Sequence, residues 1–263
     1  MKIILFSDIH ANLPALESFF EDIKKHEADQ IYCLGDLVGY LTWPNEVISE
    51  IRKRNIPVIA GNYDYGIGRS SDDCGCAYKT EEDKNNGKIS ISLTNSWINE
   101  ENRKYLKDLP AHIRVDFNWN SEPLSLLMVH GSPRKINEYL FEDRDERSLL
   151  RIMKDAKADI MCFGHTHKPY HRILEETEGD DLSSENSPKY KHAINLGSIG
   201  KPKDGDPRGS YVLLEINEES NSFNPQSIKV EFCRFEYDVE LAAKAIEASP
   251  LPNDYAEMLR KAY

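Results

Sequence analysis

The stretch Ile3-Ile4-Leu5-Phe6-Ser7-Asp8-Ile9-His10 decides how the rest of the chain is read. Four consecutive apolar residues describe a strand buried on both faces, and Ser7, Asp8 and His10 stand where that strand leaves its sheet. Asp8 and His10 are two apart. In an extended segment such residues point to the same side, so a carboxylate and an imidazole are presented together, as a metal ion with oxygen and nitrogen preferences requires. Ligands of open α/β sheets lie beyond the carboxyl ends of strands, which is this position. A capped turn would use the same residue types, so the stretch by itself leaves both readings open.

Outward from it, Asn12 and Pro14 start a helix whose buried face is Leu16, Phe19, Phe20 and Ile23. Ile31 to Leu34 reads as a second strand ending at Gly35-Asp36, and a second helix follows Pro44 with Val47, Ile48 and Ile51 inward. Pro57 to Ala60 reads as a third strand, ending at Gly61-Asn62-Tyr63-Asp64. A polar loop is expected from Arg69 to about Asn86, then helices over residues 89–98 and 101–109, so that 69–109 as a whole is a candidate lid. Strands are expected over 112–117, 124–129 and 160–163, the last two ending at His130-Gly-Ser-Pro133 and Gly164-His165-Thr166-His167, with a helix over 146–154 between them. Later strands fall at 170–174, 190–196, 210–216 and 228–235. The acidic, Ser-rich run from Glu175 to Pro188 reads as a mobile hairpin tip. Helices over 239–248 and 254–262 make a C-terminal helical extension, 238–263. The chain reads as one α/β domain, 1–263.

Composition narrows the partners. With 263 residues and a formal net charge of −12, no surface-wide basic field is available to hold a nucleic-acid polymer or an anionic membrane. Bound metal would change the local sign, so a small anionic substrate stays compatible with an acidic protein. The five cysteines are an odd, scattered set in a chain with no secretion signal, as in a reducing cytoplasm, and no apolar run has the length of a membrane span.

The polar strand ends form one set: Asp8, His10, Asp36, Asn62, His130, His165 and His167. Four of the eight histidines are in it, and His26, His112, His171 and His192 lie inside elements and read as surface or packing residues. Each place alone is an ordinary turn. Independent turns, however, have no reason to supply His, Asp and Asn but no Lys at all of the five strand ends.

Asp8-x-His10, Gly35-Asp36, Gly61-Asn62-x-Asp64, the His130 flanked by Gly-Ser-Pro, Gly164-His165-x-His167 and Asn195-Leu-Gly-Ser-Ile-Gly200, in this order, resemble the calcineurin-like metallophosphoesterase superfamily, in particular its compact prokaryotic phosphodiesterase branch. The likeness runs from residue 1 to about 235. It implies a four-layer α/β/β/α sandwich with two mixed sheets and a pair of metals about 3.5–4 Å apart. Carried over by position, Asp8, His10 and His167 would hold one metal, Asn62, His130 and His165 the other, and Asp36 would bridge them. Asp36, Asn62 and His130 would thereby take part in catalysis, through a metal-bridging hydroxide that attacks phosphorus. Nitrogen and oxygen ligands without thiolate suit two divalent or trivalent ions of Mn, Fe, Zn, Co or Ni.

One departure bears on the substrate. Members of the protein-phosphatase type carry His after the Asn, oriented by the next acidic residue, where it stabilises the transition state or protonates the leaving group; here Tyr63 stands there. A phenol, with a pKa of about 10 against about 6.5 for imidazole, is the poorer acid near neutral pH. Leaving groups that depart without a proton are then favoured, and a small nucleotide-type phosphodiester or phosphoanhydride is the expected substrate. Tyr63, Arg69 and Arg208 are its expected contacts, the arginines as phosphate clamps from Gly-containing loops. Cys74-Gly-Cys76 reads as an ordinary rim loop, with redox sensitivity as the alternative. A broad-specificity phosphomonoesterase, and a noncatalytic scaffold such as the related retromer subunit, are the competing functions.

Overall fold

The computed structural model describes residues 1–119, 123–176 and 188–263. Strand β1 (Lys2–Phe6) is followed by α1 (Leu13–Asp22), β2 (Gln30–Cys33), α2 (Pro44–Lys53), α3 (Asn62–Ile67), α4 (Glu81–Trp97) and α5 (Glu100–Asp108). Then come β3 (His112–Phe117), β4 (Leu124–Val129), α6 (Glu146–Asp155), β5 (Ile160–Phe163), β6 (Tyr170–Glu176) and β7 (Lys189–Asn195). The chain closes with β8 (Gly209–Glu215), β9 (Lys229–Phe235), α7 (Val239–Glu247) and α8 (Asp254–Lys261).

The strands form two mixed sheets, of order β2-β1-β8-β9 and β3-β4-β5-β7-β6. Parallel pairs (β1 with β2, β4 with β5, β5 with β7) sit beside antiparallel ones (β1 with β8, β8 with β9, β3 with β4, β6 with β7). Alternation along each strand builds the layers. From β1, Ile3 and Leu5 join Leu126 and Met128 of β4 between the sheets, whereas Ile4 and Phe6 pack outward with Leu16, Phe19 and the C-terminal helices. On the other side Leu127 and Val129 meet Leu149, Ile152 and Met153 of α6. The result is the expected four-layer α/β/β/α sandwich. Because both faces of β1 and β4 are covered, Ile3–Phe6 and Leu126–Val129 are apolar without interruption, which is why both strands were legible. None of the helices among the described residues is long and apolar enough to cross a membrane.

Three expectations change. Residues 57–60 make a single parallel bridge, Cys33 to Val58, because Ala60 turns its N–H to the carbonyl of Pro110 instead of continuing the ladder. Helix α4 starts earlier than its apolar residues suggest: Thr80 and Asp83 form a reciprocal capping box, and its inner face is the small polar series Asn86, Ser90, Thr94, which carries no hydrophobic period. Ser90 Oγ accepts from Tyr40 N–H at 2.8 Å and Asn86 Nδ2 donates to Asp254 of α8 at 2.9 Å. The segment 69–109 is therefore bonded to the body as a wall of the site rather than standing off it as a lid. The acidic run expected at 175–188 lies largely outside the described residues, and Glu175 and Glu176 complete β6.

The loops leaving β1 and β2 are laced to one another. N–H groups of Asp8, His10 and Ala11 donate to the carbonyls of Gly35, Asp36 and Leu37 at 2.9, 2.9 and 2.8 Å. Gly35 has φ +91°, and a Cβ there would lie 2.3 Å from the Gly61 nitrogen, so only glycine lets the Asp36 and Asn62 loops touch. Gly35→Ala is expected to destabilise the fold by roughly 2–4 kcal/mol, left-handed strain and overpacking combined. The urea midpoint checks this; an unchanged midpoint would mean that the two loops do not meet.

Candidate metal centre

All seven strand-end residues converge where the carboxyl ends of β1 and β2 in one sheet face those of β4 and β5 in the other. One ligand atom each from Asp8, His10 and His167, and one each from Asp36, His130 and His165, lie within 4.8 Å of one another in two buried groups. Asn62 adds its Oδ1, 3.2 Å from His130 Nε2. Asp36 stands between the groups, its Oδ2 3.6 Å from His10 Nε2 and 3.4 Å from His130 Nε2.

Asp8 and His10 do not converge by strand alternation as expected. Asp8, His10, Asp36, His165 and His167 all have left-handed backbones, φ between 52° and 66°. Asp and His tolerate this region better than most residues, and the interloop hydrogen bonds hold it. A chain kinked at each ligand aims side chains inward from loops that a strand would splay apart.

The hydrogen bonds fix which nitrogen of each imidazole is free. A carbonyl can only accept, so the Nδ1 atoms of His10, His167 and His130 donate, to Val38, Lys201 and Leu34 at 3.1, 2.6 and 2.8 Å. The Nε2 atoms of His10 and His167 then turn lone pairs inward, while His130 Nε2 faces the oxygens of Asn62 and Asp36. His10 and His167 face each other Nε2 to Nε2 at 3.1 Å, His165 Nε2 is buried without a partner, and Asp8 Oδ1 is likewise unpartnered. Opposed lone pairs beside buried carboxylates repel unless cations lie among them, so the donor set fits two metal ions. Asp8 and Asp36 use their second oxygens on the N–H groups of His165 and Tyr63 (3.1 and 2.9 Å), which fixes the carboxylates in place.

Burial pushes His10 and His165 down to about 3, and His167 in the same direction, so these three are neutral and ready to ligate. His130 behaves oppositely. Burial opposes its charge, but the Asp36 carboxylate, by its charge and hydrogen bond, with Asp8 and the Leu34 carbonyl, outweighs burial and raises it to about 10. Asp64, accepting from Leu37 and Gly61 N–H at 2.9 and 3.0 Å, is pushed up to about 7 by burial and by Asp36.

The remaining expected contacts divide. Arg69 stacks on Tyr65, 3.7 Å above its ring, and lines the groove that also contains Asn62, Cys74 and Asn137. Arg208 is instead held by both oxygens of Asp206, and its other bond, through its carbonyl, is to Arg234; none of these partners belongs to the metal centre. Tyr63 is 1 % exposed, its ring packed edge-on against His10 (5.5 Å) and beside Tyr40 (4.8 Å), so the substrate contact expected of it gives way to a packing role. Burial raises its phenol further above the ordinary value. Asp64, which would orient a histidine there, holds the two loops together instead. Asn62 Nδ2 donates to the Cys74 carbonyl (2.8 Å) and meets Cys76 Sγ at 3.3 Å. Burial, then Asp36, raises the Cys76 thiol, against the thiolate that redox sensing needs.

Sequence reasoning left out three participants. Tyr139 packs its ring 4.1 Å from that of His165. Lys201 offers the carbonyl that fixes His167, and Lys203 donates its N–H to the His167 carbonyl at 3.3 Å. The signal for the two lysines was their place just after the Asn195–Gly200 loop, whose Ser198 hydroxyl donates to Asp8 O at 2.7 Å.

Because a metal must displace the proton His130 holds, metal affinity is expected to rise with pH, by about tenfold per unit while that proton is bound, and to level off above about 10. Calorimetric titration with Mn²⁺ in buffers of different ionisation enthalpy checks it. Binding without proton release at pH 7 would refute it.

The calcineurin-like phosphoesterase superfamily domain matches residues 1–219. An uncharacterised protein of Methanocaldococcus jannaschii is 34% identical over 266 residues, covering 98% of this chain and 96% of that protein. The crystal structure of a metallophosphoesterase from Sphaerobacter thermophilus superposes with TM-score 0.70 at 27% identity, over 100% of this chain and 99% of that one. A hypothetical protein from Pyrococcus horikoshii shares the fold, with TM-score 0.76, 22% identity and coverage of 100% and 98%. The chain belongs to the calcineurin-like phosphoesterase superfamily, with two candidate metal sites at the place where its sheets meet.

Proposed function

We propose that this metallophosphoesterase hydrolyses a phosphodiester or phosphoanhydride of a small nucleotide-type substrate with a dinuclear centre. The observation that carries the dinuclear reading is the set of inward Nε2 atoms, grouped on either side of one carboxylate oxygen of Asp36. Asp8, His10 and His167 would hold one ion, and Asn62, His130 and His165 the other. Bound there, two such cations supply Lewis-acid charge for the phosphoryl oxygens and an acidified water as nucleophile.

This chain's own residues do the rest. The carbonyls of Val38, Lys201 and Leu34 hold three imidazoles in the ligating tautomer, and Asp36 screens the two positive sites from each other. Arg69 lies on the groove that leads from Asn62, where it can meet a second phosphate or the leaving moiety. The substrate preference rests on Tyr63. With that phenol buried behind His10, the side chain that follows Asn62 cannot protonate a poor leaving group, which favours anhydrides and activated diesters over alkyl monoesters.

Two measurements test the reading together. Wild-type protein is expected to hold about two Mn ions and to cleave bis-p-nitrophenyl phosphate or diadenosine tetraphosphate faster than a serine phosphopeptide. Asp36→Asn is expected to lower that activity by more than the roughly 10–100-fold that loss of an outer supporting partner costs. Faster cleavage of the phosphopeptide would favour a phosphomonoesterase, and metal without turnover of any ester would favour a scaffold.

A further inference from the structure

Lys203 is the charged residue at the centre that none of the preceding steps uses. It follows the loop that ends at Gly200 and is anchored by its own N–H to the carbonyl of the ligand His167, at 3.3 Å. Its side chain is half-buried, and among the described residues no carboxylate lies within 4.0 Å of its ammonium. The neighbouring Lys201 is different: it is 2 % exposed and its Nζ lies over the rings of Tyr40 (4.8 Å) and Tyr255 (5.8 Å), 3.6 Å from Met258 Sδ. That cage occupies the Lys201 ammonium. Lys203, by contrast, is fixed by its own main chain beside His167, and its charge acts on His10 and His167 of one group, on His165 of the other and on Asp8 and Asp36, which places it next to both groups.

An unpaired ammonium held toward a site built for two cations raises the local potential and opposes metal binding. Such an arrangement is favourable only when an anion lies between the three positive groups. We propose that Lys203 is a substrate-binding residue, whose ammonium donates to a phosphoryl oxygen of the substrate while that phosphoryl group faces the metal pair. The proposal rests on the phosphoesterase reading above and deepens it. It assigns to Lys203 the cationic contact with the phosphoryl group that a histidine after Asn62 would make and that buried Tyr63 cannot. It also explains why the loop after β7 is tied so closely to Asp8 and His167: those bonds set the reach of the lysine.

The test is binding of inorganic phosphate to Mn-loaded protein by calorimetry, together with Mn affinity in phosphate-free buffer. Lys203→Met is expected to weaken phosphate binding roughly 10- to 100-fold, the value of a charge-assisted hydrogen bond, while Mn affinity stays the same or tightens. Lys203→Arg is expected to keep phosphate affinity within about threefold of wild type, and Lys168→Met, at an exposed position next to His167 on the loop between β5 and β6, to leave it unchanged. Should Lys203→Met not fold, Lys203→Gln replaces it with the same expectation. Equal phosphate affinity in the folded, metal-loaded variant would overturn the role of Lys203 alone. Loss of Mn affinity in parallel with phosphate affinity, or an equal loss in Lys168→Met, would also overturn it, showing respectively a support for His167 and a diffuse field. Wild-type protein that holds Mn yet binds no phosphate would overturn the phosphoesterase reading and this inference with it.

Discussion

The structure depends on one electrostatic constraint: a cluster of imidazole lone pairs and carboxylates is buried where two sheets meet, and such a cluster is stable only around positive charge. Four imidazoles and two carboxylates would ordinarily be costly inside a protein. Here three of the imidazoles and both carboxylates are held by a second bond on the far side, to a carbonyl or a main-chain N–H, so the near side has little freedom to relax away. His130 shows what that rigidity does. Without a metal it keeps a proton, drawn by Asp36, as the smallest cation able to relieve the repulsion.

The sandwich supplies the rigidity. Candidate ligands come from the ends of β1 and β2 in one sheet and β4 and β5 in the other, with Asn62 at the start of α3, and the apolar layer between the sheets fixes the distance between those strand ends. Bonds across the seam complete the frame: His165 N–H to Asp8 and Ile199 N–H to Ser7 O. Five of the seven ligands have left-handed backbones, costing about 1–2 kcal/mol each. That strain persists because so many independent bonds converge on the same loops.

Around the centre the walls differ in character. The side with Asn62, Cys74 and Asn137 opens into a groove bordered by Arg69. The side behind His10 is closed by Tyr63, Tyr40 and Tyr255, with Lys201 over two of these rings. An aromatic wall behind one ligand and an open groove beside another give the site a direction of approach. Helices α4 and α8 build the closed wall together, joined by Asn86 and Asp254.

The sequence by itself determined the strands, because apolar runs such as Ile3–Phe6 and Ile160–Phe163 are covered on both faces, and it picked out the candidate ligands, because metal-capable residues followed those runs in the order of a known superfamily. It could not reveal that residues 57–60 form only a bridge, that α4 turns a polar face inward, that Arg208 is held by Asp206, or that Tyr63 faces the core. Those outcomes depend on partners far along the chain: Pro110 for Ala60, Tyr40 and Asp254 for α4, His10 for Tyr63. Lys203 belongs with them, since its position relative to His167 and Asp36 is created by the loop that follows β7. Periodicity and motif order report what a residue needs locally, whereas the direction a side chain takes at a loop is fixed only once both sheets and their loops are assembled.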